Sequence, residues 1–486
     1  MSAFGGLFIG TSAIHAAQRG LDVVGQNVAN SATPGYTRQR VDLESIGGPG
    51  VPAFWSRYDG SGEGVKVTGV TRMNDEFLEA RARNTNADLG SLQEQAKTMA
   101  AIERTITEPS DTGLQKKLSE LWNSFGAAGN SPSVANQAPR SAALENAVNT
   151  ASQLNHMSNS MKTQWQDTGS ELGANVTDIN TMAEDVAALN KAIRNNNIAK
   201  VPSNELLDQR DALIARISEL TGATVRPAAA DQGAPFNSQA VDVMIGDVAL
   251  VSGINANSLK VVDPNTAGYP TDGTDPKALT VEWATGGAGD AGISTGRVAG
   301  QLKALNETIP GYMKEFDQVA AKLAETVNTQ QAAGFTVDGV KGADLFVAQG
   351  GGTTITAANI RVKADAVPNS LAVSKGNPKA EPPAVASLDG DNFLAMSRHI
   401  SDKDGPDATY NSMVVRLGVE AQSVNRNVKV QENVVRKAED ARDNVSGVSL
   451  NEEMTNMIRF QHSFSAAAKY IGVIDQTLQT LINMTR

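Results

Sequence analysis

The chain has 486 residues, enough for roughly two to four domains with sizeable cores. Its 53 acidic side chains outweigh 42 basic ones, and the net charge of −11 argues against a general nucleic-acid binder. Cysteine is absent, which excludes disulfides, thiolate metal sites and catalytic thiols. Nothing approaches the ~18 consecutive apolar residues of a membrane span, so no membrane insertion is expected. Residues 1–30 lack the basic n-region of a cleaved secretory signal, so a route out of the cell would be a different one.

The first element reads as a helix. Leu7, Ile14, Leu21 and Val28 recur every seven residues, with Gly10, Ala17 and Val24 three positions after the first three. That is an a/d seam. Asn30, Ser31, Thr33, Pro34 and Gly35 end it: Pro34 biases Thr33 away from helix, and Gly35 permits a turn with positive φ. "YTRQRVDLE" then alternates as a strand does, and "GEGVKVTGVTR" (62–72) reads as another. Helical patterns follow at 75–107, 111–128, 134–195 and 203–221, the last with Asn204 as its expected cap. From 223 to 300 the composition shifts to Gly, Pro, Asp, Thr and Val, with strands in "AVDVMIGDVALVSG" and "KALTVEWAT". A long helix is expected at 301–332, a turn-rich stretch at 333–400, and helix again at 408–444.

The C-terminal segment carries the stronger seam. Leu450, Met457, Phe464, Ile471 and Leu478 are spaced by seven, as are Phe460, Ala467, Ile474 and Leu481 beside them. The expected fold is therefore α+β: an elongated helical rod with terminal coiled-coil helices (1–33 and 446–486). Its helical body is assigned to 34–222, 297–332 and 401–445. A β-rich inserted domain (223–296) and a turn-rich or β insertion (333–400) complete it. Residues 1–30 hold only two charged side chains, Arg19 and Asp22, and residues 454–486 only four, Arg459, Lys469, Asp475 and Arg486. A freely solvated helix has a strongly charged outer face. Such charge-poor faces suit packing between molecules as well as pairing within one.

Candidate chemistry is sparse. Gly292 to Gly296 matches the G-x-S-x-G elbow with Ser294 as nucleophile, and Asp317 and His399 follow in hydrolase order. The preceding "GGAGDAG" is no buried strand, so a loop is the expected reading. His15, His156, His399 and His462 stand without metal-ligand partners at helical spacing. "DGDN" (389–392) starts like a calcium loop, but its twelfth position is Ile400 rather than Glu. "GSGEG" (60–64) lacks the following Lys-Ser/Thr of a phosphate cradle. Asp208, Arg210 and Asp211 read as either a buried ion network or a solvated helix face. No catalytic, metal or cofactor site is expected.

"GLFIGTSAIHAAQRGLDVVGQNVANSATPGYTRQRV" resembles the N-terminal signature of bacterial flagellar rod, hook and hook-associated proteins. The signature's Ala-Asn-x-x-Thr-x-Gly-Tyr is matched by Ala29, Asn30, Thr33, Gly35 and Tyr36. "SGVSLNEEMTNMIRFQHSFSAAAKYIGVIDQTLQTLINM" is similar to the C-terminal helix of the same family. "NELLDQRDALIARISELTGATV" (204–225), residues 296–346 and "MVVRLGVEAQSVN" (413–425) narrow the resemblance to the hook-associated protein 1 family of the hook–filament junction. The resemblance implies a structural axial component of the flagellum, not an enzyme. The end helices would line an inner tube, with the break after Val28 as the exit to the outer wall. It implies a ring of identical copies, with the hook protein and a second hook–filament junction protein as neighbours. It further implies an extracellular place on the flagellum, reached through type III export without a cleaved signal peptide. An export chaperone would engage the C-terminal helix. Two alternatives are carried: another axial protein, such as a hook or distal rod subunit, and a secreted hydrolase using Ser294.

Overall fold

In chain order the elements are α1 (Ala3–Ala29), β1 (Gln39–Ile46), β2 (Gly64–Arg72), α2 (Glu76–Ile106), α3 (Leu114–Asn130), α4 (Ala138–Ile198) and α5 (Asn204–Thr221). Short strands follow: β3 (Thr224–Pro227), β4 (Val241–Ile245), β5 (Val248–Ser252), β6 (Asn255–Ala256), β7 (Leu259–Val262) and β8 (Thr280–Trp283). Then come α6 (Gly296–Lys303), a π turn (Ala304–Thr308), α7 (Ile309–Ala333), β9 (Phe346–Ala348), β10 (Ile360–Val362), α8 (Asp391–Arg398), α9 (Pro406–Ser446) and α10 (Leu450–Met484). The computed structural model describes residues 3–47, 62–228, 239–379 and 388–484. The chain is α+β, as its periodicities indicate.

It divides into two units. The first comprises Met1–Ala87, Ile179–Ser258 and Glu432–Arg486; the second comprises Asp88–Asp178 and Leu259–Gln431. The expected β-rich insertion at 223–296 is thereby split. Its first half, β3-β4-β5-β6, is an antiparallel sheet of the first unit. Buried Asn190 on α4 donates to Val241 O (2.9 Å) and Gly253 O (2.7 Å), and so fastens that sheet to its helix. The β7-β8 pair belongs to the second unit, where the Asn306 side chain bonds both Leu279 N (2.8 Å) and Leu279 O (2.9 Å). Local composition marks both halves as strand-rich. It carries no sign of which helix each half docks on.

Two further differences have clear causes. Asn204 does not cap α5, since Ser203 holds the N-cap position. Its amide instead reaches Gln39 Oε1 (3.1 Å) and Val70 O (3.0 Å), tying α5 to β1 and β2. The long helix expected at 301–332 begins at Gly296 and passes through the π turn. Pro310 has no N–H to give the Leu305 carbonyl in that register. Trp165 Nε1 donates to that carbonyl instead, at 2.9 Å.

The core of the second unit gathers around Trp122, Phe125, Phe316, Phe393 and Tyr410, all fully buried. Phe125 meets Phe393 edge-on at 5.1 Å, so the stretch at 333–400 contributes a short core helix, α8, as well as turns. On α7, burial pushes the Asp317 carboxyl up to about 6, against the opposing pull of the Ala357 N–H donated to it at 2.8 Å. A carboxylate with a raised folded pKa favours the fold below its unfolded pKa, and that contribution is lost as pH rises through the folded value. Asp317→Asn keeps an acceptor for Ala357 and removes the charge. The variant is expected to exceed the parent in urea-unfolding stability by about 1–2 kcal/mol at pH 7. The gap should close as the pH is lowered towards 4. A gap that does not change with pH would contradict this.

Candidate functional site: the paired terminal helices and their polar knot

α1 and α10 pack antiparallel in the first unit. Gly6 lies against Ile474, Gly10 against Ile471, Gly20 against Phe460, and Asn27 against Glu453. The approach is close: a Cβ on Gly20 would stand 2.5 Å from the Phe460 ring, and one on Gly10 2.5 Å from Ile471 Cγ1. The buried residues of α1 are Gly6, Gly10, Ala16, Ala17, Gly20, Val23, Val24 and Asn27. Gly10, Ala17 and Val24 belong to the expected seam. Leu7, Ile14, Leu21 and Val28 are half-buried beside them. The glycines at the closest approach have a steric origin. The bulk in this interface comes from α10, so small residues face it on α1.

On α10 the spacing reads more directly. Ala467 is buried, and Met457, Phe460, Phe464, Ile471, Ile474 and Leu478 are half-buried along one face. Leu450 and Leu481, at the two ends, are 53% and 55% exposed. Met454 and Ile458, on another face, are 55% and 52% exposed.

A polar knot fixes where the chain leaves α1 and where it enters α10. Asn27 is 1% exposed and fully bonded. Its Oδ1 accepts from Tyr36 OH (2.9 Å) and Gln39 N (3.0 Å), and its Nδ2 donates to Gln39 O (2.9 Å) and Glu453 Oε2 (3.0 Å). Arg38 Nε donates to Glu453 Oε1 at 2.8 Å, its NH1 to Glu452 at 2.7 Å, and its backbone N to Ser446 O at 2.9 Å. Glu453 is itself 1% exposed, so Arg38 supplies the cation a buried carboxylate needs. From α5, Asp208 accepts Thr37 N at 3.2 Å and forms a close ion pair with Arg72 Nε at 3.2 Å. Asp211 bridges Arg72 (2.6 Å) and Arg210 (2.9 Å). Asp208, Arg210 and Asp211 therefore form a buried ion network, not a solvated face.

Of the family motif, Gly35 has φ +79°, which a side chain would strain, and Thr33 Oγ1 donates to Asn30 Oδ1 at 3.3 Å. Ala29 is exposed, and Asn30 is half-buried. Tyr36 is the motif residue that enters the knot. Burial pushes its hydroxyl up to about 12, helped by the nearby Asp208, Glu205 and Glu453 charges, so it stays a donor at neutral pH. Asn27, Arg38, Arg72 and Glu453 were not among the expected site residues. One signal was available: the series Phe460, Ala467, Ile474, extended back by seven, lands on Glu453.

The other candidates fall elsewhere. Ser294 is exposed on its loop. Asp317 is occupied by Ala357 N, while His399 bonds Asp402 (2.6 Å) and Gln330 (3.3 Å); no hydrogen bond joins the three. His15, His156 and His462 are exposed. Asp389 accepts backbone N–H groups from Lys375, Gly376 and Asp391, a loop-holding role. "GSGEG" lies partly outside the described residues. Among the described residues no group of three acidic or histidine side chains could hold a metal, and no helix is long and apolar enough to cross a membrane.

Comparison with known proteins agrees with this architecture. The family model "Flagellar hook-associated protein FlgK helical domain" matches residues 99–346. Models of the flagella basal body rod protein and of the FlgEFG C-terminal region match 7–37 and 442–484, the segments that hold α1 and α10. Flagellar hook-associated protein 1 of Bacillus subtilis is 29% identical, over 99% of this chain and 98% of that protein. The protein of that name from Escherichia coli is 23% identical, over 97% of this chain and 98% of its own length. The solved structure of the flagellar hook junction protein FlgK from Burkholderia pseudomallei shares the fold, with a TM-score of 0.61 at 16% identity, covering 76% of this chain and all of that one. The resemblance seen in the sequence is borne out: this chain belongs to the flagellar hook-associated protein FlgK family, structural axial components of the bacterial flagellum.

Proposed function

We propose that the chain is the adaptor between hook and filament, and that it works by polymerising. Side-to-side packing of paired end helices builds a ring of identical copies. The hook protein borders the ring on one side and a second hook–filament junction protein on the other. The observation that carries this is the combination of a fixed helix pair with apolar outer faces. The knot of Asn27, Arg38 and Glu453 sets the pair's orientation, while Met454 and Ile458 remain more than half exposed. An exposed, charge-poor apolar face is a feature of association surfaces. The protein is exported to the cell exterior through the type III route, and a chaperone holds α10 until assembly. Electron microscopy of a strain lacking the chain tests the reading: hooks without filaments are expected. Normal filaments on normal hooks would refute it.

A further inference from the structure

The geometry points to a knob-and-groove contact between copies: Phe77 of one chain seats in a basic-rimmed apolar groove beside α10 of the next. This rests on the ring reading above and gives it a specific contact. The groove lies between α1, β1 and α10, encloses about 540 Å³, and is lined by Val23, Leu43, Met73 and Phe460. Arg40 and Arg459 stand among its lining residues. Arg459 sits over the Phe460 ring at 5.4 Å and makes no ion pair among the described residues. The groove thus offers apolar depth and an uncommitted cation, on a chain whose net charge is −11.

Phe77 has the complementary chemistry. It opens α2 in the same unit and is 73% exposed, so it does not enter the groove of its own chain. Asp75 and Glu76 precede it, both exposed. Asp75 Oδ1 accepts the Phe77 and Leu78 amides (2.9 and 3.2 Å), which fixes the first turn of α2 and the presentation of the ring. A buried aromatic anchor with arginine contacts is the usual centre of an association surface. The carboxylate–arginine contacts at its rim set register more than affinity. A knob–groove contact made once in each direction along the series, not reciprocally between two copies, joins them head-to-tail, as a ring or helix requires.

The absence of native cysteine makes the test clean. Phe77→Cys and Arg459→Cys chains are expressed together in a strain lacking the parent, and isolated flagella are oxidised. Antibody labelling of the parent protein on flagella of the parental strain separately tests whether it occupies the junction at all. A disulfide-linked dimer is expected only when both variants are present. No dimer in flagella that carry both variants at the junction overturns the contact. So does a dimer formed by Phe77→Cys alone, or a link only to another axial protein. Independently, Arg459→Glu is expected to abolish filament growth, and adding Glu76→Arg to restore at least half of it. A misfolded variant would not be rescued in this way, and absence of rescue in an exported, folded double variant counts against the contact.

Discussion

Arg38→Leu is expected to destabilise the docking of α10 by about 3–5 kcal/mol, the cost of leaving a buried carboxylate without its cation. Glu453 would keep only the Asn27 amide, at 1% exposure. The penalty falls on α10, because Arg38 joins β1 to its first turn through both Glu452 and Glu453. Amide exchange along residues 450–484 should accelerate by about two orders of magnitude or more, while amides of the second unit keep their protection. Arg38→Leu with Glu453→Leu removes both charges, and is expected to recover most of the loss, since an apolar pair can replace a buried ion pair at little cost. If the single variant lost less than about 0.5 kcal/mol, the range of an ordinary surface substitution, the knot would not be what holds α10.

The second large effect concerns assembly. Ile474 and Leu478 lie on the inward face of α10, and the Cβ position of Gly6 is 3.0 Å from Ile474 Cδ1. Burying such a side chain is worth roughly 1.5–3 kcal/mol. Aspartate at both positions removes that contribution and sets two like charges four residues apart in an apolar seam. Ile474→Asp with Leu478→Asp is expected to leave the unfolding of the second unit unchanged and to abolish incorporation at the hook tip. To separate assembly from export, the purified variant is added from outside to hooks of a strain lacking the protein. Filament growth restored at the parental rate would show that assembly does not need the paired α1 and α10.

Much of this arrangement is legible in the sequence because its parts are periodic. The α10 seam follows from sevenfold spacing, and the break after α1 from Pro34 and Gly35. The glycine contacts of α1 are less legible, for a physical reason. Hydrophobic periodicity weighs Leu7, Ile14, Leu21 and Val28, but a close helix pair also selects for lack of bulk, and Gly6 and Gly20 carry no hydrophobic signal. The knot escaped because its members lie more than 400 residues apart in the chain, as with Asn27 and Glu453. Polar pairs of that kind have no local signature. The split of the β-rich segment at Ser258 and Leu259 was hidden likewise, since it depends on Asn190 and Asn306, on helices that flank the segment.

The most direct test of the central claim is where the protein sits. Isolated flagella with their hooks and rods attached are labelled with gold-conjugated antibody against the second unit. A single cluster of label is expected at the hook–filament boundary of each flagellum, with the hook, rod and filament bare. Label distributed along the hook or on the rod would contradict the claim, and would identify the chain as a different axial subunit.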